Sequence, residues 1–241
     1  MWPCFGTLVT CSSQPCHPVY AERVMTNAVQ TAPATRGLVL HWAARYDLLV
    51  WLLTRGRDRA FREKLVALAR LTTGEAVLDV GCGTGSLALV AKRQVGPTGL
   101  VCGIDPSPAM IARAQSKASK AEADVKFEIG IAEALPFSAA QFDVVFSTLM
   151  LHHLPRPVRQ QFVREVRRVL TPEGRFLVVD FAHAQAKRGV LAHFHRHGHV
   201  DPRQIVSLLE DEGLRSVASG PVGISSLQYV LATVVAQPST R

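Results

Sequence analysis

Val77-Leu78-Asp79-Val80-Gly81-Cys82-Gly83-Thr84-Gly85 is the stretch from which the rest of this chain can be read. The apolar run Ala76 to Val80 predicts a strand covered on both faces. Gly81, Gly83 and Gly85 then let the backbone turn sharply and approach a ligand closely, with no Cβ in the way. A helix opening near Ser86 would offer free N–H groups to a polar ligand. Glycines alone are a weak signal, because dinucleotide-binding turns use the same device. Here the spacing is Asp-x-Gly-x-Gly-x-Gly rather than Gly-x-Gly-x-x-Gly, and the strand carries an acid, Asp79, ahead of the first glycine. A carboxylate at that place repels a pyrophosphate but helps to hold a cationic amine.

The next apolar stretch, Gly99 to Asp105, also ends in an acid. It lies about 20 residues past the loop, where doubly wound nucleotide folds place a carboxylate for the ribose hydroxyls. Ser107 reads as the N-cap of a following helix, with Pro108 at its first position and Met110, Ile111 and Ala114 on its apolar face. Further strands are predicted near 125–129, 142–147 and 175–181, and helices near 86–95, 107–122 and 156–170. Pro202 to Glu212 reads as another helix, and Leu214–Ser219 and Leu227–Val235 as the last two strands. This alternation predicts an α/β fold: a doubly wound, Rossmann-like, mostly parallel sheet of about seven strands with helices on both faces. Helical periodicity from Gly37 to about Leu71, broken at Thr54-Arg55-Gly56, places N-terminal helices ahead of it.

The 241 residues fit one domain with an appendage. A hydrophobic content of 48% against 19% charged residues suits a large core. No apolar run is long enough to span a bilayer; Leu48 to Leu53 is far too short. The net charge of +8 permits an anionic partner without requiring one. Five cysteines without a CxxC pair point to a reducing, cytoplasmic setting. Residues 1–35, rich in Pro, Ser, Thr and Cys, read as a disordered tail, or as an over-extended start with Met25 as the initiator. Residues 36–241 read as the folded domain, and no secretory signal is expected.

Later segments sharpen the reading. Gly130-Ile-Ala-Glu-Ala-Leu-Pro-Phe137 precedes Gln141-Phe-Asp-Val-Val-Phe-Ser147, followed by Leu151-His-His-Leu154 and Glu165-Val-Arg-Arg-Val-Leu-Thr-Pro-Glu-Gly174. With the glycine loop, over roughly residues 40–181, these resemble the motifs of class I S-adenosylmethionine (SAM)-dependent methyltransferases. The branch they look most like is that of the ubiquinone/menaquinone C-methyltransferases. The resemblance implies SAM as the methyl donor. Asp79, Gly81, Cys82 and Gly83 would lie at its methionine end, Asp105 at its ribose, Pro106 and Met110 beside its adenine. Ala132 and Glu133 would follow the third strand beside the adenine, and Ser147 would end the fourth strand facing the methionine group. Relatives often carry an acid just before the Ala-Glu pair; here that place is Ile131, leaving the adenine contact to backbone or to Glu133. Tyr46, in Ala43-Ala-Arg-Tyr-Asp47, resembles a tyrosine that folds over cofactor or substrate; ordinary helix packing is the alternative.

A sulfonium is a good leaving group, so alignment and desolvation carry much of the catalysis. A base is needed only where the acceptor must lose a proton. His152 and His153, just past the fourth strand, are the candidates, against a purely structural turn. The alternating run His193 to His199 has no acid or cysteine at ligand spacing, so no metal is expected; it reads as a segment over the pocket or a solvated connection. Arg156, Arg159, Arg164, Arg167 and Arg168 share one predicted helix and read as a solvated face, or as an RNA or headgroup patch. The expected activity is methyl transfer to a small, apolar, lipid-like or quinone-like acceptor, with peripheral membrane contact through the apolar N-terminal helices as an option. The competing readings are an RNA methyltransferase, which predicts steep salt dependence, and a catalytically silent SAM-fold protein that binds a partner. Two other classes are excluded. The position after the fourth strand reads Ser147-Thr-Leu-Met150 rather than the Pro-Pro motif of base amino-methyltransferases, and no core Pro-Cys nucleophile is present.

Overall fold

The computed structural model describes residues 35, 37, 52, 56–181, 201–223 and 227–235. Tyr46, the His193–His199 run and nearly all of the 1–35 segment lie outside them. The described chain runs α1 (Asp58–Leu68), β1 (Ala76–Val80), α2 (Ser86–Val95), β2 (Leu100–Asp105), α3 (Pro108–Lys120), β3 (Lys126–Ile129) and β4 (Phe142–Thr148). A single 3-10 turn at Leu151–His153 leads to α4 (Arg156–Val169), β5 (Leu170–Phe181), α5 (Pro202–Asp211), β6 (Leu214–Pro221) and β7 (Leu227–Val234).

The strands form one sheet in the order β3-β2-β1-β4-β5-β7-β6. β1 pairs in parallel with β2 on one side (Val77 opposite Val101) and with β4 on the other (Leu78 opposite Val145). Only β7 runs against its neighbours β5 and β6. The chain steps outward from β1 through β2 to β3, then returns to the other side of β1 to lay down β4. The carboxyl ends of β1 and β4 thus flank a topological switch point, where open α/β sheets open a crevice.

Two-residue alternation sends β-strand side chains to opposite faces. Leu78, Val80, Cys102, Ile104 and Val145 join Phe162 and Val166 of α4 and Leu209 of α5 in one core. Val77, Val101, Val144 and Phe146 join Leu65 of α1, Ala88 of α2 and Ala114 of α3 in the other. Helices therefore cover both faces, and each fully buried Leu, Val or Phe adds roughly 1.5–3 kcal/mol of apolar transfer. By the same parity Asp79 shares a face with Val77, toward α1 and α2, whereas Asp180 shares a face with Phe176 and Val178, toward α4.

β5 starts at Leu170 rather than near 175. Leu170 pairs with Phe142, and an irregularity between Phe142 and Val144 lets Thr171-Pro-Glu-Gly174 continue the strand that a turn-like composition concealed. Ser107 takes the N-cap position of α3, but its hydroxyl makes no cap bond. Among the described residues no helix is long and apolar enough to cross a membrane.

Candidate cofactor and acceptor site

The glycine loop hangs from the neighbouring strand. The amides of Gly81 and Cys82 both donate to the Ile104 carbonyl, at 2.9 Å each. Gly85, the N-cap of α2, is left-handed at φ 76°, and a Cβ there would stand 2.6 Å from Cζ of Phe127. Only glycine serves at that position, for conformation and for space. Asp105 closes the loop from the β2 side. Its Oδ2 accepts the Gly83 amide at 3.0 Å and its Oδ1 accepts the Ser107 amide at 2.9 Å. Burial raises the Asp105 pKa, and those two amides pull it back down. Each oxygen still has a lone pair for a further donor.

Around this loop lies a half-open cleft of about 680 Å³, counted to its mouth. Gly81, Gly83, Asp105, Pro106, Met110, Ala132 and Glu133 all line it, so seven of the residues singled out from the sequence are brought together. Asp79 and Cys82 line a smaller adjoining recess, which shares Gly81, Thr148 and Leu149 with the main cleft. Cys82 is buried and its thiol pKa is pushed well up, by burial first and by the Asp79 and Asp105 carboxylates next, which rules out a thiolate nucleophile at neutral pH. Ser147 lines neither space: β4 runs one residue further, so Thr148 and Leu149 take the place expected for it. Glu133 accepts from the Thr35 hydroxyl at 2.9 Å.

The Glu165–Arg168 pair of α4 has a structural part in the site. Glu165 accepts the Leu135 amide at 2.8 Å, and Arg168 donates to the carbonyls of Leu135 and Phe137 at 3.0 and 2.7 Å. The two side chains also pair with one another, and the hydrogen bond from Arg168 holds the Glu165 carboxyl below its usual pKa. They pin the Ala132–Phe137 turn that walls the cleft beyond β3. The role was concealed because a helical Glu-x-x-Arg also reads as an ordinary surface pair.

The opposite wall is the Leu149–Leu154 turn. Leu149 is left-handed at φ 56°, an uncommon conformation for leucine, and its amide donates to Val179 at 2.8 Å. Met150 lies over Gly81, where an added Cβ would meet its Cγ at 2.5 Å. Of the two histidines, His153 lines the cleft and His152 does not. His152 is buried against Asp180: Nδ1 lies 2.7 Å from Oδ1, and its backbone amide donates to Oδ2 at 3.0 Å. The two imidazoles lie against one another, tilted by 44° with centroids 3.9 Å apart. A lone acid at a strand end gave no signal for Asp180. Its strand parity, which aims it at α4 and the 3-10 turn, would have been the only clue.

Three of the α4 arginines are engaged within the fold. Arg164 pairs with Glu212, Arg168 with Glu165, and Arg159 donates to the Leu154 carbonyl at 2.8 Å.

Residues 77–174 match the family described as a methyltransferase domain. The core of this chain is a class I SAM-dependent methyltransferase domain. The Geobacter sulfurreducens protein named ubiquinone/menaquinone biosynthesis C-methyltransferase is 37% identical over 142 residues. A 27-O-demethylrifamycin SV methyltransferase from Amycolatopsis mediterranei is 34% identical over 167 residues. These alignments cover 58% and 68% of this chain, and the chain spans only 55% and 54% of the two relatives. A SAM-dependent methyltransferase from Aquifex aeolicus shares the fold, with a TM-score of 0.66 at 23% identity over 80% of this chain and 98% of that one.

Proposed function

We propose that this protein transfers a methyl group from SAM to a small, apolar, quinone-like acceptor. The observation that carries this reading is the cleft at the switch point, in which the glycine loop and the doubly anchored Asp105 carboxylate face one space. The residues present suit the donor. Asp105 has lone pairs for two ribose hydroxyls, Ile104, Met110 and Ala132 offer apolar surface for a purine, and the loop glycines leave room beside the backbone. Bound there, SAM supplies an electrophilic methyl group on a sulfonium.

What remains for the chain is to orient, exclude water and, where required, take a proton. Asp105 and the loop fix the donor end. Leu149, Met150 and Leu154 give the acceptor an apolar wall that excludes water from the line of transfer. His153 presents an imidazole on that wall for an acceptor that must lose a proton. Asp180 holds the turn from beneath through His152. Thr35 and Gly37 also line the cleft, which supports a catalytic unit beginning near residue 36. The named activities of the two relatives, a C-methyltransferase of ubiquinone/menaquinone biosynthesis and a 27-O-demethylrifamycin SV methyltransferase, support a small-molecule acceptor. The internal pairing of Arg159, Arg164 and Arg168 removes much of the basis for an RNA patch.

The test is calorimetric titration of folded protein with SAM and S-adenosylhomocysteine at low and moderate salt, followed by methyl-labelled SAM with quinone, lipid and RNA extracts. Micromolar binding and label in a quinone or other apolar small molecule are expected. Absence of binding by folded protein, or label confined to RNA, would overturn the reading.

A further inference from the structure

The strained corner after β4 is not explained by core packing. Leu149 holds a left-handed φ of 56°, a conformation that glycine adopts without strain, yet its side chain is only half-buried. Met150 follows it and is also half-buried. Leu149 packs toward the core under α1, α2 and α3, and Met150 toward the core under α4 and α5, so the two straddle the end of β4. Strained non-glycine backbone persists where its surroundings hold it, and it clusters at functional sites. Two hydrogen bonds hold this corner. The Leu149 amide donates to the Val179 carbonyl at 2.8 Å, and the Met150 carbonyl accepts the His153 amide at 2.9 Å. The third support is Gly81, where an added Cβ would stand 3.0 Å from Cβ and 2.5 Å from Cγ of Met150, but 3.9 Å from its Sδ. The base of the Met150 side chain is thus seated on the glycine loop. Its thioether end, unbranched and carried on rotatable bonds, is the part that can yield. Gly81, Thr148 and Leu149 line both the main cleft and the recess, so this contact lies at the neck between them.

We propose that Leu149 and Met150 gauge the thickness of the acceptor: they admit the edge of a flat aromatic ring, such as a phenol or hydroquinone, and exclude a branched or saturated one. The inference rests on the function proposed above and adds the shape of its substrate. Carbon atoms touch at about 3.5–4.0 Å, so a flat ring needs one such layer on each face. Turning the thioether end of Met150 supplies a layer. It does not supply the further width of a group standing out of the ring plane, because Cβ and Cγ are fixed by the loop and by the Leu149 corner. The surfaces also suit an aromatic ring. The polarizable sulfur makes favourable contacts with ring edges. His153 brings a π system to the same wall, and Leu149 and Leu154 complete an apolar slot.

The test is calorimetric titration of the full chain, saturated with S-adenosylhomocysteine, with α-naphthol and with its para-tert-butyl derivative. Both rings carry one hydroxyl, and apolar burial alone would favour the butylated one. The gauge reverses that order, so wild-type protein should bind α-naphthol at least about 10-fold more tightly. Met150→Ala, which removes Cγ, Sδ and Cε, should bring the two affinities within about threefold or invert them. Leu149→Gly keeps the left-handed backbone without its strain, so it serves where Met150→Ala does not fold, and it should narrow the difference by about threefold or more. The quantity read is a ratio within one protein, which a general loss of stability or of donor affinity does not move. Saturation with 5′-methylthioadenosine, which lacks the amino-acid end of S-adenosylhomocysteine, should give the same ranking, because protein side chains set it. Wild-type binding of the butylated ring as tightly as α-naphthol, a ratio unchanged in the variants, or a ranking that disappears with 5′-methylthioadenosine would overturn the gauge while leaving the proposed function standing. Donor-loaded protein that binds neither ring would overturn the gauge as well. Failure of folded wild-type protein to bind either nucleoside would overturn both.

Discussion

The two edges that meet at the switch point are built differently. The donor edge, behind β1, β2 and β3, is made of backbone: loop amides on the Ile104 carbonyl, loop and helix amides on Asp105, and glycines where any side chain would collide. The acceptor edge, behind β4 and β5, is made of side chains carried on one strained turn, with Leu149, Met150, His153 and Leu154 as its wall and His152–Asp180 beneath it. A backbone-built edge recognises one ligand and tolerates little change. An edge made of side chains can be altered one residue at a time.

The contrast is tested most severely at Asp105. Asp105→Ala removes two anchors of the loop and, in the proposed complex, two charge-assisted bonds to the ribose. Each such bond is worth about 1.5–3 kcal/mol, so S-adenosylhomocysteine affinity should fall by about 100-fold or more. Calorimetry showing a loss under tenfold would mean the donor edge does not depend on that carboxylate. Next comes Gly85→Val, which forces a β-branched residue into a left-handed conformation and into Phe127. Denaturant unfolding should show a loss of roughly 2–4 kcal/mol. A near-neutral result would show that the loop can shift as a body.

Asp180→Asn probes the other edge. It keeps the shape but weakens the hold on the His152 ring and amide, with an expected stability loss of about 1–3 kcal/mol. Because the change lies behind the acceptor wall, S-adenosylhomocysteine affinity should stay within about twofold while turnover falls by about tenfold or more. A fall in nucleoside affinity equal to the fall in turnover would erase the distinction between the edges.

The sequence was most legible where the backbone does the work. The predicted bounds 76–80 and 86–95 match β1 and α2, and the apolar stretch from Gly99 to Asp105 contains β2, because buried strands and glycine punctuation leave a composition signal. The loop glycines and the strand-end acid Asp105, which the structure brings to one cleft, came out of the same signal. Tertiary pairing was less visible. β5 reaches back to Leu170 because it pairs with Phe142, against a Thr-Pro-Glu-Gly stretch that reads locally as a turn. His153 rather than His152 reaches the cleft because Asp180, 28 residues from His152, claims the first ring. Local periodicity reports which face a residue takes within its own element; it does not report what a second element places opposite.

The smallest expected signal, in protons rather than affinity, is also the sharpest probe of the donor edge. Burial, opposed by the Arg62 charge and reinforced by Asp105, pushes the Asp79 pKa up to about 7. An unfolded aspartate titrates near 3.9, so the folded protein holds this proton more tightly, and stability falls as pH rises from about 4 through 7. Asp79→Asn should flatten that part of the stability profile. A bound ammonium favours the ionised carboxylate, so S-adenosylhomocysteine binding near pH 7 should release about half a proton at Asp79. Asp105, whose pKa is also raised, would contribute its own release when ribose hydroxyls donate to it, but equally for 5′-methylthioadenosine. The difference between the two ligands, measured from binding enthalpies in two buffers of unlike ionisation enthalpy, therefore isolates Asp79. That difference should vanish in Asp79→Asn. Equal proton release by both ligands in the wild type would place the ammonium somewhere other than the recess.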